Sequence, residues 1–197
     1  MSEKPVGLLW DSVSNNSGDI AIGMVLQRFC ETREIPFRVV DPFNFHPREF
    51  STFIIGGGQL LRTYYDFFYH SFNVPGPHIL NSVGIHMPDK LDFLREYRLV
   101  SVRSRAEREE ILRISLGLKV EVHPCTTVLF DRFFSAELAQ ARQTTLGAGE
   151  WIGVHLNNTT LRKLPRLFPA LEQLNREYRL LFIPFTHYEN DRFLMET

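Results

Sequence analysis

Short apolar runs alternate along this chain with stretches of helical spacing, and several of the runs close on glycine. Val6-Gly7-Leu8-Leu9-Trp10 reads as a buried strand, and a polar loop from Asp11 to Gly18 follows it. From Asp19 to Thr32 the spacing is helical, with Ile20, Met24, Val25, Leu26 and Phe29 on or near one face and Ser17 or Asp19 placed to cap the start. Phe37 to Val40 is a second strand and Phe53 to Ile55 a third, the latter running into Gly56-Gly57-Gly58. After the Pro75-Gly76-Pro77 break, His78 to Gly84 is another strand-to-glycine passage, Leu91 to Tyr97 a helix, and Leu99 to Arg103 a strand. Ser104-Arg105-Ala106-Glu107 has the spacing of a capping box, so a helix from about Arg105 to Leu116 follows, closed by Gly117. Lys119 to Val122 is the next short strand.

The composition then shifts. Glu137 to Glu150 is rich in Ala, Gln, Thr and Gly, and its end, Thr144 to Gly149, reads as a linker. Beyond it the rhythm restarts. Trp151 to Leu156 is a strand, Leu161 to Leu174 a helical stripe of leucines with Phe168, and Leu180 to Phe185 a strand. Strands alternating with helices predict an α/β fold with a parallel sheet. The pattern divides the chain into a Rossmann-like domain over residues 1–145 and a partial α/β domain over 150–197. A lone β-α-β unit leaves sheet edges unpaired, so the second domain reads as truncated.

Composition narrows the functional classes. Lys plus Arg number 22 against 23 Asp plus Glu, so no net field points to nucleic acid or an anionic membrane. There is no apolar run of membrane-spanning length and no signal-peptide core, and the two cysteines, Cys30 and Cys125, fit a reducing compartment. These features predict a cytoplasmic protein. Seven histidines without two-His helix spacing predict no metal site.

The glycine triplet leaves two readings open. Bare backbone at the carboxyl end of a strand lets a ligand approach, and it equally lets a helix cross the strand closely. Four motifs stand in order: Asn16-Ser17-Gly18-Asp19, Ile55-Gly56-Gly57-Gly58, Val100-Ser101-Val102-Arg103-Ser104 and Ile183-Pro184-Phe185-Thr186-His187. Taken together, this order and spacing resemble the polysaccharide pyruvyl transferase family. The likeness runs the length of the chain. It departs from the family pattern at Ser104, where an acidic residue is common, and at His123-Pro124-Cys125, where Asp-Pro-Ala is common.

The resemblance implies two Rossmann-like domains facing a cleft, an architecture like that of the two-domain (GT-B-like) glycosyltransferases. It also implies an enzyme of exopolysaccharide biosynthesis, and the residues imply no cofactor. Such an enzyme moves an enolpyruvyl group from phosphoenolpyruvate to a sugar or lipid-linked oligosaccharide, forming a pyruvate ketal. That donor carries a carboxylate and a phosphate, so it calls for guanidinium groups and aimed N–H donors. Arg103 at a strand end, with Ser104 opening a helix, is the first candidate, and a structural ion pair is its ordinary alternative. Arg105 is a weaker choice, read as exposed. Asn16 and Asp19 are assigned to the acceptor sugar, because an aspartate repels phosphate; helix capping is their ordinary role. Gly56, Gly57 and Gly58 supply backbone contacts across the cleft.

His187, with His155 as second choice, is placed for acid–base work in the second domain. His70, His78 and His86 read as exposed loop residues. Tyr64, Tyr65, Phe67, Phe68 and Tyr69 read as core packing before a sugar platform. Two rival functions remain: an inactive pyruvyl transferase-like domain that binds a sugar or partner, and a nucleotide-sugar glycosyltransferase.

Overall fold

The structure, a computed structural model, describes residues 4–14, 16–63, 67–147, 149–155 and 166–183. In chain order its regular elements are β1 (Val6–Leu9), α1 (Ser17–Thr32), β2 (Phe37–Val39), β3 (Thr52–Gly56), β4 (Leu61–Arg62), β5 (Ile79–Val83), β6 (Ile85–His86), β7 (Leu99–Val102), α2 (Arg105–Ile114), β8 (Glu121–Val122), α3 (Phe130–Thr145), β9 (Trp151–Val154), α4 (Leu167–Glu177) and β10 (Arg179–Phe182). The chain separates into two compact units, residues 1–12 with 18–133 and residues 13–17 with 134–197.

In the first unit six parallel strands form one sheet in the order β2-β1-β3-β5-β7-β8. The chain starts at β1, steps one way to β2, then crosses back to β3 and continues outward. The carboxyl ends of β1 and β3 therefore flank the point where strand order reverses, the place where open α/β sheets bind ligands. The sheet is covered on both faces, as parallel sheets must be. On one face Leu8 and Trp10 pack with Ile22, Leu26 and Cys30 of α1. On the other, Leu9, Phe53, Ile55, Leu80, Val100 and Val102 pack with Ile111 of α2 and with Phe72 and Leu94 from the connecting loops. The chain is thus a mixed α/β protein of the Rossmann-like class.

Two glycines set the closeness of this packing. Gly7 lies opposite Phe53 in the β1–β3 register, and a Cβ at Gly7 would stand 2.6 Å from the Phe53 ring. Gly23 of α1 lies against the Trp10 indole, leaving no space for a side chain. That contact fixes which side of α1 faces inward. Ile22, Val25, Leu26 and Cys30 are buried, whereas Ile20 and Met24 are 41% and 38% exposed. Of the five residues expected on or near one face, Val25 and Leu26 are buried and Ile20, Met24 and Phe29 are exposed; the seats at Trp10 and the glycine triplet set the inward side.

Other elements also differ from expectation. Leu91 to Tyr97 yields only a short 3-10 turn, Asp92–Glu96. Glu137 to Thr145, where composition suggested the approach to a linker, is helical within α3, in keeping with its Ala, Gln and Glu content. A small parallel pair, β4 with β6, follows the glycine triplet and was not expected. In the second unit β9 and β10 pair in parallel, Trp151 opposite Arg179, with α4 between them in sequence. No helix among the described residues is long and apolar enough to cross a membrane.

Candidate functional site

Charge and backbone strain gather at one end of the six-stranded sheet. Asp11 stands two residues past the end of β1 and is only 4% exposed. Asp19 stands in the first turn of α1, which begins two residues earlier at Ser17, so Asp19 is not the helix cap. Instead its carboxylate lies against Gly58, where a Cβ would come 2.5 Å from Oδ1. Gly58 needs this position and its backbone shape, with φ +65°. The Gly84 N–H donates to the Gly58 carbonyl at 2.6 Å, tying the turn after β3 to the turn after β5. Against Gly84 lies the Arg103 guanidinium, filling the space a side chain there would take. Asp19, Gly58, Gly84 and Arg103 thus form one continuous line, a carboxylate at one end and a guanidinium at the other.

The electrostatics follow from this placement. Burial and the neighbouring Asp11 charge together push the Asp19 carboxyl up to about 6, against the opposing pull of Arg103 and Arg62. Arg62, in β4, stacks its guanidinium on the Tyr69 ring at 4.1 Å and donates from Nε to the Gln59 carbonyl at 3.1 Å. Two cations and two carboxylates therefore act on the same small volume.

Arg103 also meets Glu107 across one helical turn, Nη2 to Oε1 at 3.5 Å, and its own N–H donates to Glu107 Oε2 at 3.0 Å. Ser104 caps α2 as its spacing predicted. Its Oγ accepts the Glu107 N–H at 3.2 Å and donates to Glu107 Oε2 at 3.0 Å. The box occupies the N–H groups of residues 103 and 107, so a ligand anion at this helix end competes with Glu107 for them.

The turn after β5 is held with some strain. Ser82 has φ +51°, uncommon for a residue with a side chain. Its N–H donates to Ser101 Oγ at 2.9 Å, and that hydroxyl donates to the Leu80 carbonyl at 3.0 Å. The β5–β7 register shifts between Leu80 and Val83. Ser101 thereby bridges a bulge that carries the strand round to Gly84.

The glycine triplet divides between its two readings. Gly56 faces Leu26, Gly57 faces Ile22, and both are buried by α1; their bareness serves the close helix crossing. Only Gly58 lies beside a charged group. Asn16 immediately precedes α1 and is half-buried, and Arg105 is exposed on α2. His187 and residues 64–66 of the aromatic cluster lie outside the described residues. His155 is exposed, its Nδ1 3.0 Å from the Ile183 carbonyl. Sequence reasoning missed Asp11, Arg62 and Gly84 as site residues. Asp11 and Gly84 share a readable signal, since each follows a predicted strand at its carboxyl end.

His78 corrects an expectation. Read as an exposed loop residue, it is 7% exposed at the opposite, amino edge of the sheet. Its Nδ1 accepts the Phe53 N–H at 3.3 Å, its Nε2 faces the Pro75 carbonyl at 3.1 Å, and its ring packs edge-on to Phe53 and Tyr97. These contacts select the neutral Nε2–H tautomer, and burial lowers its pKa. The same edge holds a cleft of about 220 Å³ lined by Arg95, Arg98, Lys119 and Glu121 among others. Two of its three cations are paired locally, Arg95 with Asp92 at 3.6 Å and Lys119 with Glu121 at 3.3 Å, and no residue of the carboxyl edge lines it. A cavity alone does not outweigh the strand-end geometry, so the carboxyl edge is the stronger candidate.

Among the described residues, no group of three or more His, Cys, Asp or Glu side chains comes together as metal ligands. Comparison of the chain with protein-family models, with curated proteins and with solved structures found no match.

Proposed function

We propose that this chain is a pyruvyl transferase whose donor, phosphoenolpyruvate, binds at the carboxyl edge of the six-stranded sheet. The observation that carries the reading is the seating of Arg103 and Asp19 on the linked glycines Gly84 and Gly58, beside the strand-order reversal. The ordered motifs that resemble the pyruvyl transferase family supply the reaction.

Ketal formation begins with a proton added to the methylene carbon of the donor, which leaves a cationic centre at the adjacent carbon. A sugar hydroxyl oxygen attacks that carbon and gives up its proton to a base. The C–O bond to phosphate then breaks, and a second hydroxyl of the same sugar closes the ketal, so its proton leaves with the phosphate. Arg103, with Arg62 nearby, balances the charge of the donor. Asn16 and Asp19 border the acceptor side, Asp19 next to the guanidiniums that face the donor, and His187 takes the hydroxyl proton. In this reading the second unit completes a GT-B-like cleft, and a sugar of a polysaccharide precursor is the acceptor.

One observation favours a second reading. The Arg103–Glu107 contact is the kind of ion pair that a purely structural arginine makes, which suits a domain that binds a sugar or partner without turnover. Calorimetric titration of phosphoenolpyruvate into the full chain, with inorganic phosphate as control, tests the transferase reading. Saturable binding tighter than that of phosphate supports it. Equal or absent binding removes phosphoenolpyruvate as the donor.

A further inference from the structure

We infer that Asp19 is the acid that protonates the donor, and that it takes up its proton when the donor binds. The inference rests on the transferase reading and goes beyond it by assigning the proton. Its geometric basis is the arrangement of charges around one carboxylate. From the end of β1 the buried Asp11 faces it; from β7 comes Arg103; from β4 comes Arg62. From α2, Glu107 reaches Arg103 and competes for that guanidinium. The carboxylate itself rests on Gly58, one hydrogen bond away from the glycine under Arg103.

In the free protein the two guanidiniums favour the ionised Asp19, opposing burial and Asp11. A donor with a carboxylate and a phosphate changes both sides of that balance. It draws the guanidiniums to itself, and it places further negative charge beside Asp19. Both changes favour the protonated acid. Binding and protonation are then linked, each strengthening the other. The repulsion between an aspartate and a phosphate, which argues against this residue on the donor side when it is ionised, is relieved by the proton taken up.

The step balances. The Asp19 O–H bond breaks as a C–H bond forms at the methylene carbon, leaving a carboxylate beside the new cationic centre. The sugar hydroxyl adds to that centre and loses its proton to the base. Asp19 regains a proton from solvent when the next donor binds. Asp11 is a positioning residue in this scheme, since it acts on the reaction only through the charge it sets against Asp19.

The test measures proton uptake on binding. Phosphoenolpyruvate is titrated at pH 7 into the wild-type chain and into Asp19→Asn, each in PIPES and in imidazole buffer, whose different ionisation enthalpies report the protons exchanged. The difference cancels the titration of the donor's own phosphate. The expected result is an uptake larger by about 0.5–1 proton in the wild type, with Asp11→Asn in between, and a donor affinity that rises toward pH 6 only where Asp19 is present. Equal proton counts in wild type and Asp19→Asn, with binding intact in both, overturn the assignment and leave the transferase reading standing. Absence of phosphoenolpyruvate binding to the wild type overturns both.

Discussion

The two edges of the same parallel sheet are built on opposite rules. At the amino edge, His78 is neutral, both ring nitrogens are engaged, and aromatic rings close around it. At the carboxyl edge, two carboxylates and two guanidiniums share a small volume, Asp19 is held part-way to protonation, and Ser82 sits at positive φ. The amino edge satisfies both nitrogens of the histidine it buries; the carboxyl edge retains repulsion and strain. Like charges held together and a strained turn favour function, so the contrast supports the carboxyl edge as the proposed site.

The largest effect breaks the amino edge. Phe53→Ala removes a fully buried ring that Gly7, Phe50 and His78 all pack against, and is expected to cost about 3–5 kcal/mol in a denaturant melt. Arg103→Ala breaks the carboxyl edge differently. It is expected to weaken phosphoenolpyruvate binding roughly 100-fold, about 2.7 kcal/mol, while the thermal midpoint moves little, because its pair with Glu107 is long, at 3.5 Å, and Glu107 keeps its bonds to the residue-103 N–H and the Ser104 hydroxyl. A large midpoint loss with unchanged binding would make Arg103 structural.

Asp19→Asn sharpens the contrast, because it is expected to stabilise the protein. The folded state holds the Asp19 proton up to about pH 6, whereas the unfolded chain releases it near 3.8. Stability from this group is therefore full below about pH 4, falls as pH rises toward 6, and stays lost above. The shift of about two units corresponds to at most about 3 kcal/mol, and half-exposure reduces it to about 1–2 kcal/mol. Asp19→Asn should melt later than wild type at pH 8 and no later at pH 3.5.

The smallest effect has the opposite sign. His78 has a lowered pKa in the folded state, so the unfolded chain binds its proton first as pH falls through about 6.5, and stability is lost on acidification below that point. The two edges thus oppose each other between about pH 6.5 and 4. In Asp19→Asn the acid destabilisation should steepen; in His78→Gln it should flatten. Melting curves across that range that shift in parallel for both variants would remove the contrast.

Much of the fold was legible because it is local. Each apolar run closed by glycine became a strand of the parallel sheet, and Ser104 with Glu107 formed their capping box. What escaped depends on distant partners. The inward side of α1 is decided by Trp10 against Gly23 and by the glycines of β3, not by the helix's own apolar count. His78 looks like a loop histidine until Phe53 and Tyr97 are brought to it by strand pairing. Arg103 was legible as a strand-end cation. Its seat on Gly84 and its proximity to Asp19 were not, because Asp19 and Arg103 are joined only through turns after different strands.

Hydrogen exchange of the full chain with and without phosphoenolpyruvate compares the two edges in one measurement. The donor is predicted to slow exchange at the turns holding Gly57, Gly58 and Gly84 and at Arg103 and Ser104, leaving residues 95–99 and 117–121 unchanged. Protection confined to those amino-edge residues, around the Arg95, Arg98 and Lys119 cleft, would contradict the assignment of the carboxyl edge as the functional site.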